Sequence, residues 1–109
     1  MRQVIQPVGD IDEAVHFYSV AFDFGVRFVD GSRFAALDAG SGVLALASAE
    51  EDVALTSAPA IKVSDLDAFL ARLATTDGGL VRGPEDGPHE RRAVVCDPWG
   101  NRIIVYSAN

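Results

Sequence analysis

The chain has 109 residues, enough for one domain (1–109) that buries its own core without disulfides or structural metal. Sixteen acidic against nine basic residues give a formal charge of -7, which argues against nucleic acid and anionic membrane as partners and leaves cationic ligands compatible without selecting one. The single cysteine, Cys96, excludes an internal disulfide and a multi-thiolate zinc site; the opening MRQVIQPVGD lacks a signal-peptide core and no apolar run could span a bilayer, so a cytoplasmic protein is expected.

Val4 to Val8 reads as a short strand stopped by Pro7 and Gly9. Asp10 then opens a helix with Glu13 as its capping-box partner, and Ile11, Ala14, Val15, Tyr18 and Phe22 recur at helical spacing until Gly25 ends the helix. Val26 to Val29 and Ser32 to Asp38 are strands across Asp30-Gly31, a dipeptide suited to a tight hairpin turn; Ala39 to Gly42 then turns into Val43 to Ala47. Ser48 to Ser57 is polar and unpatterned and reads as a solvated connection. Beyond it Ala58 to Val63 is a strand, Asp65 opens a helix striped by Leu66, Phe69, Leu70 and Leu73, and Gly78-Gly79 ends it. Leu80 to Arg82, Arg92 to Asp97 and Arg102 to Tyr106 are the remaining strands.

The element order βαβββ therefore occurs twice. Val8-Gly9-Asp10-Ile11-Asp12 matches Val63-Ser64-Asp65-Leu66-Asp67 at an offset of 55, and Leu44 to Ser48 matches Ile103 to Ser107 at an offset of 59. The extra four residues fit the Gly83 to Pro88 loop. Two copies of one module explain this, residues 1–48 and 58–109 with a linker at 49–57. Each copy alone would expose an apolar sheet face, so the expected α+β fold is two βαβββ modules forming a sheet-lined cleft.

The last two strands flank Asp97-Pro98-Trp99-Gly100-Asn101, where Pro98 suits the second position of a type I turn and Gly100 the position after the bend. Taken with the repeated modules, the Val-x-Asp-hydrophobic start, Phe17-Tyr18 and Phe24-Gly25, this ending resembles the vicinal oxygen chelate superfamily, which includes glyoxalase I, bleomycin-resistance proteins and extradiol dioxygenases. The resemblance spans the whole chain. It implies a glyoxalase/bleomycin resistance-like fold and a homodimer, but no single activity, because members range from metal-dependent enzymes to drug binders.

Enzymes of that superfamily hold a divalent metal through one residue on the first and one on the last strand of each module. Carried over by spacing, those positions are Gln3, Ala45, Ala58 and Ile104. Gln3 alone offers a lone pair, and neither Val43 to Ala47 nor Arg102 to Tyr106 contains an acid or imidazole that a one-residue slip could recruit. No metal and no other cofactor is expected.

Strand alternation puts Gln3, Ile5, Ala45, Ala47, Ala58, Ala60, Lys62, Arg102, Ile104 and Tyr106 on the cleft face, and Leu44, Leu46, Ile61, Val63, Ile103 and Val105 under the helices. The ligand-contacting set is then Gln3, Phe34, Ala45, Ala58, Lys62, Trp99, Arg102, Ile104 and Tyr106. Gln6 falls on the helix side, which suggests a bend at Pro7. Trp99 at a hairpin tip reads as a lid over a planar ligand or as a dimer contact, and Phe34 as core or as a second ring. His16 lies on the polar side of its helix, His89 in a loop at the cleft mouth, and Cys96 mid-strand as an inert buried thiol. No catalytic constellation emerges: there is no nucleophile motif, no paired carboxylates on one element and no phosphate-cradling loop. The expected function is metal-free binding of a small organic molecule, for drug or metabolite sequestration. The rivals are a lyase, isomerase or dioxygenase with a displaced site or acting through Tyr106, His89 or Lys62, and a degenerate module serving as a regulatory subunit.

Overall fold

The computed structural model describes residues 3–40 and 42–109, with Ser41 of the expected turn outside them. The protein is α+β, and each half is a βαβββ module. The chain divides into two compact units, one ending at Ser57 and the other Ala58–Asn109. No helix among the described residues is long and apolar enough to cross a membrane.

The first module runs β1 (Gln3–Pro7), α1 (Ile11–Phe22), β2 (Gly25–Asp30), β3 (Phe34–Asp38) and β4 (Val43–Ala47). Its strands lie in the order β2-β3-β4-β1, with β1 parallel to β4 and the other pairs antiparallel. Asp10 caps α1, its Oδ1 accepting the Glu13 N–H at 2.9 Å, a contact that stabilises a helix by about 1 kcal/mol. The helix ends earlier than Gly25, because Asp23 takes the left-handed conformation at φ 59° and returns its N–H to the Tyr18 carbonyl. Aspartate is among the few side chains that tolerate this conformation, which frees Gly25 to begin β2. Ile11, Ala35, Leu37 and Leu46 form the buried core, with Ala14, Val15, Tyr18, Phe24 and Leu44 packed against it.

Gln6 does lie on the helix side of its sheet, but no bend puts it there: β1 keeps register with β4 from Gln3↔Val43 to Pro7↔Ala47. Instead the amide is satisfied in place. Its Nε2 donates to the Tyr18 hydroxyl at 3.1 Å and its Oε1 accepts from the Ser57 hydroxyl. The segment expected to be a solvated connection is in fact ordered by such contacts. The Glu51 and Asp52 amides donate to the Ser48 carbonyl, Asp52 caps the Leu55 N–H at 3.0 Å, Glu51 pairs with Arg33, and Val53 and Ala54 are buried. Its polar composition concealed two apolar residues that it delivers inward.

The second module runs β5 (Ala58–Lys62), α2 (Leu66–Leu73), β6 (Gly79–Asp86), β7 (Glu90–Cys96) and β8 (Arg102–Ala108), ordered β5-β8-β7-β6 with β5 parallel to β8. Asp65 caps α2 through the Ala68 N–H as Asp10 caps α1. Leu66, Ala93, Val95 and Val105 are its core, joined by Val63, Phe69, Leu70, Leu73 and Ile103. The helix stops at Leu73, well before Gly78-Gly79: the Thr75 and Thr76 hydroxyls donate to the Arg72 and Leu73 carbonyls at 2.7 Å each and satisfy groups the next turn would have bonded. Gly78 serves packing instead, since a Cβ there would stand 2.7 Å from the Cys96 carbonyl oxygen.

β6 also corrects the expected boundaries. Rather than ending at Arg82 before a loop, it continues to Asp86, with pairing to β7 irregular between Leu80 and Arg82 and between Arg82 and Glu85. Gly83, at φ 88°, supplies a conformation that lets the strand buckle and resume. The extra residues of this half therefore lengthen a strand, and Glu85 and Asp86 become cross-strand partners of Arg92 and Arg91.

Candidate functional site

The cores define the two faces of each sheet. In the first module Ala35, Leu37, Leu44 and Leu46 turn toward α1, so alternation sends Phe34, Ala36, Ala45 and Ala47 to the opposite face together with Gln3 and Ile5. Phe28 stands across from Ala36, and its ring lies 6.5 Å from that of Phe34. A strip of alanines bordered by two rings results.

In the second module Ala93, Val95, Ile103 and Val105 turn toward α2, which puts Ala58, Ala60, Lys62, Val94, Arg102, Ile104 and Tyr106 on the other face. Register then orders them in rows. Lys62 is the cross-strand partner of Tyr106, and Tyr106 of Arg92; one step along, Ala60, Ile104 and Val94 form an apolar row, and Arg102 sits opposite Cys96. Direct cross-strand neighbours have Cβ atoms about 5 Å apart, within reach of one small ligand group.

Of the nine residues expected to meet a ligand, Ala45, Ala58 and Ile104 are buried, Gln3, Phe34 and Tyr106 are half-buried, and Lys62 and Arg102 are exposed. Trp99 is 83 % exposed at the hairpin tip. Its turn is held by Asp97: Oδ1 accepts the Trp99 and Asn101 N–H groups at 2.9 Å and Oδ2 accepts the Asn101 side-chain amide at 2.9 Å. These donors, the Asn101 amide first, hold the Asp97 carboxyl below the usual carboxylate range. His16 and His89 are exposed, and Cys96 is partly exposed rather than buried.

Sequence reasoning missed Arg92 and Phe28. Arg92 is one strand from Tyr106, with its guanidinium 3.4 Å from Glu90 and 3.7 Å from Glu85. The signal was available: a hairpin closed over Asp97 to Asn101 pairs Cys96 with Arg102, and counting back four on each strand reaches Arg92 and Tyr106. Phe28 was obscured by the irregularity between Val26 and Phe28, which breaks simple alternation. On the helix side, Arg91 pairs with Asp67 at 3.2 Å and Asp86 at 3.5 Å, and the Asp67 hydrogen bond raises its pKa further above the ordinary arginine value.

Two βαβββ modules of this order, each with an aspartate-capped helix on one face of its four-stranded sheet, define the glyoxalase-like class of α+β proteins. The chain belongs to the Glyoxalase/Bleomycin resistance protein/Dioxygenase superfamily, whose family model matches residues 1–105. It is 38% identical over 108 residues to an uncharacterized protein of Mycolicibacterium smegmatis, covering 98% of this chain and 92% of that one. Among solved structures it is similar to one described as the NAD-dependent benzaldehyde dehydrogenase of Legionella pneumophila (18% identity, 98% of each chain, TM-score 0.83). It is also similar to methylmalonyl-CoA epimerase of Mycobacterium tuberculosis (22% identity, 99% of this chain and 87% of that one, TM-score 0.72). At these identities the structural likeness shows the fold alone.

The metal that the superfamily's enzymes use does not fit the residues present. At three of the four positions carried over from the resemblance, Ala45, Ala58 and Ile104 put buried hydrocarbon where a donor is needed, and Gln3 at the fourth offers a single amide oxygen. Among the described residues no three of His, Cys, Asp or Glu gather in a metal-binding group.

Proposed function

We propose that this protein is a cytoplasmic, metal-independent binder of a small, partly apolar organic molecule, acting by sequestration, with the sheet faces opposite the helices as its contact surface. One observation carries the reading: the positions that would hold metal carry buried hydrocarbon, Ala45 in the first module and Ala58 and Ile104 in the second. Each module's sheet face opposite its helix also bears groups suited to holding a ligand, the Phe34 and Phe28 rings in the first and Lys62, Tyr106 and Arg102 in the second. Gln3 can add an amide, and Trp99 a ring that closes over the ligand from the hairpin tip. Apolar walls with a few polar handles are the usual make-up of a small-molecule site.

Thermal-shift screening of aromatic acids, amines and neutral compounds in the presence of EDTA tests this. A compound that raises the melting temperature, and loses its effect in Lys62→Ala or Tyr106→Phe, is the expected result. Stabilisation by a divalent ion alone, or a stoichiometric metal in protein purified without chelators, would sink it.

A further inference from the structure

The second module holds a pair of hydrogen-bond donors that none of its own acceptors uses. Lys62 ends β5 and Tyr106 lies beside it on β8, a register fixed by the Val63 N–H, which donates to the Tyr106 carbonyl at 2.8 Å. Their neighbours Val63 and Val105 pack under α2, so both side chains leave the opposite face of the sheet. Lys62 is exposed and forms no ion pair with a described residue; Tyr106 is half-buried, and its hydroxyl has no hydrogen-bond partner among the described residues. A surface lysine alone is ordinary. Beside it, however, stands a half-buried hydroxyl without an internal partner, one step from the buried row Ala60, Ile104 and Val94. An ammonium donates only and a phenol can donate too, so one group that satisfies both is an acceptor bearing negative charge.

We infer that Lys62 and Tyr106 receive the carboxylate of an organic acid, so that the ligand is an anion; this rests on the metal-independent binding proposed above. Charge on this face runs against that of the chain. The formal charge is -7 overall, yet register places Lys62, Arg82, Arg92 and Arg102 here against Glu85 and Glu90 among the described residues of these strands. Both acids are engaged by arginine: Glu85 lies 3.2 Å from Arg82 and 3.7 Å from Arg92, and Glu90 3.4 Å from Arg92. Neither reaches Lys62. Arg92 therefore backs the row with positive charge while Lys62 and Tyr106 make the grip, two donors for the two oxygens of a carboxylate. A phosphate monoester suits the pair less, because its three oxygens call for a guanidinium fork or the amides of a helix start, and Asp65 already caps α2 on the other face. The Tyr106 ring and the methylenes of Lys62 offer apolar surface to the rest of the acid.

Titration calorimetry in EDTA tests this with matched probes: benzyl, naphthylmethyl and octyl skeletons, each carrying a carboxylate, an amine, an alcohol or a phosphate. On the skeleton that binds best, the carboxylate should bind about tenfold tighter than the other three. Lys62→Gln should raise its Kd about tenfold and Tyr106→Phe about fivefold, the scale of a lost hydrogen bond to a charged group at a partly exposed site. Lys62→Glu should turn the preference toward the amine, and circular dichroism confirms that each variant folds. Preference of the wild type for an amine, alcohol or phosphate, a carboxylate Kd indifferent to both Lys62→Gln and Tyr106→Phe, or no carboxylate of the panel binding would overturn the inference. An amine or alcohol that binds in EDTA in place of the acid would end this inference alone and leave the metal-independent reading standing. Binding that appears only when a divalent ion replaces EDTA would end both.

Discussion

The two modules share an inward design and differ outward. Each has an aspartate-capped helix over a four-stranded sheet and four buried core residues, yet the first presents Phe17, Phe22, Val26 and Val29 to its surroundings where the second presents the Arg82–Glu85 and Arg91–Asp67 ion pairs. Repetition constrained the residues that close each core. The outer faces were free to diverge, the first carrying aromatic and aliphatic side chains and the second carrying ion pairs.

The equivalence of the cores is broken or sharpened first by truncation. Leu46→Ala in one module and Leu66→Ala in the other should each cost about 2 to 5 kcal/mol, because both side chains are fully buried. Urea unfolding measures this, and an unchanged midpoint for either would end the equivalence. Next come two glycines at the helix-to-strand connections. Gly78→Ala should destabilise by about 1 to 3 kcal/mol through its clash with the Cys96 carbonyl, while Gly25→Ala, with nothing within 4 Å of its Cβ, should be nearly neutral. Asp10→Ala and Asp65→Ala should each cost about 1 kcal/mol, a matched pair of lost caps.

The closing turn of the second module should also respond to acid. Donors from Asn101 and Trp99 favour ionised Asp97, so its folded pKa lies below the unfolded value. Its contribution is present above the ordinary carboxylate pKa of about 4 and is lost as pH falls through the lower folded value. Amide exchange at Trp99 and Asn101 should quicken relative to neighbouring strand amides in that range. Smallest of all, His16→Ala should change stability by less than about 0.5 kcal/mol, as expected of an exposed helix residue.

Much of this was legible in the chain. Asp10 and Asp65 marked both helix starts because a cap is a local contact, and Val43 to Ala47 was a strand with the expected bounds because a short apolar run follows directly on Gly40 and Gly42 and ends at polar Ser48. The helix ends were less legible. Asp23 and the Thr75-Thr76 pair ended helices where glycine was expected, since several local hydrogen-bonding solutions satisfy the same carbonyls. The Gly83 to Asp86 stretch resembled a loop because its strand character depends on pairing with Arg91 and Arg92, which local composition does not report.

Family membership and the twofold repeat followed from residue identity, because caps and alternation belong to single residues and their neighbours in the chain. Tertiary structure alone decided the rest. It set Arg92 beside Tyr106 and Phe28 beside Phe34, gave Gln6 its partners in Tyr18 and Ser57, and left the Phe17 and Phe22 rings outside the core. Each of those outcomes depends on strand register or on which helix flank the sheet covers, and both are fixed by residues far apart in sequence.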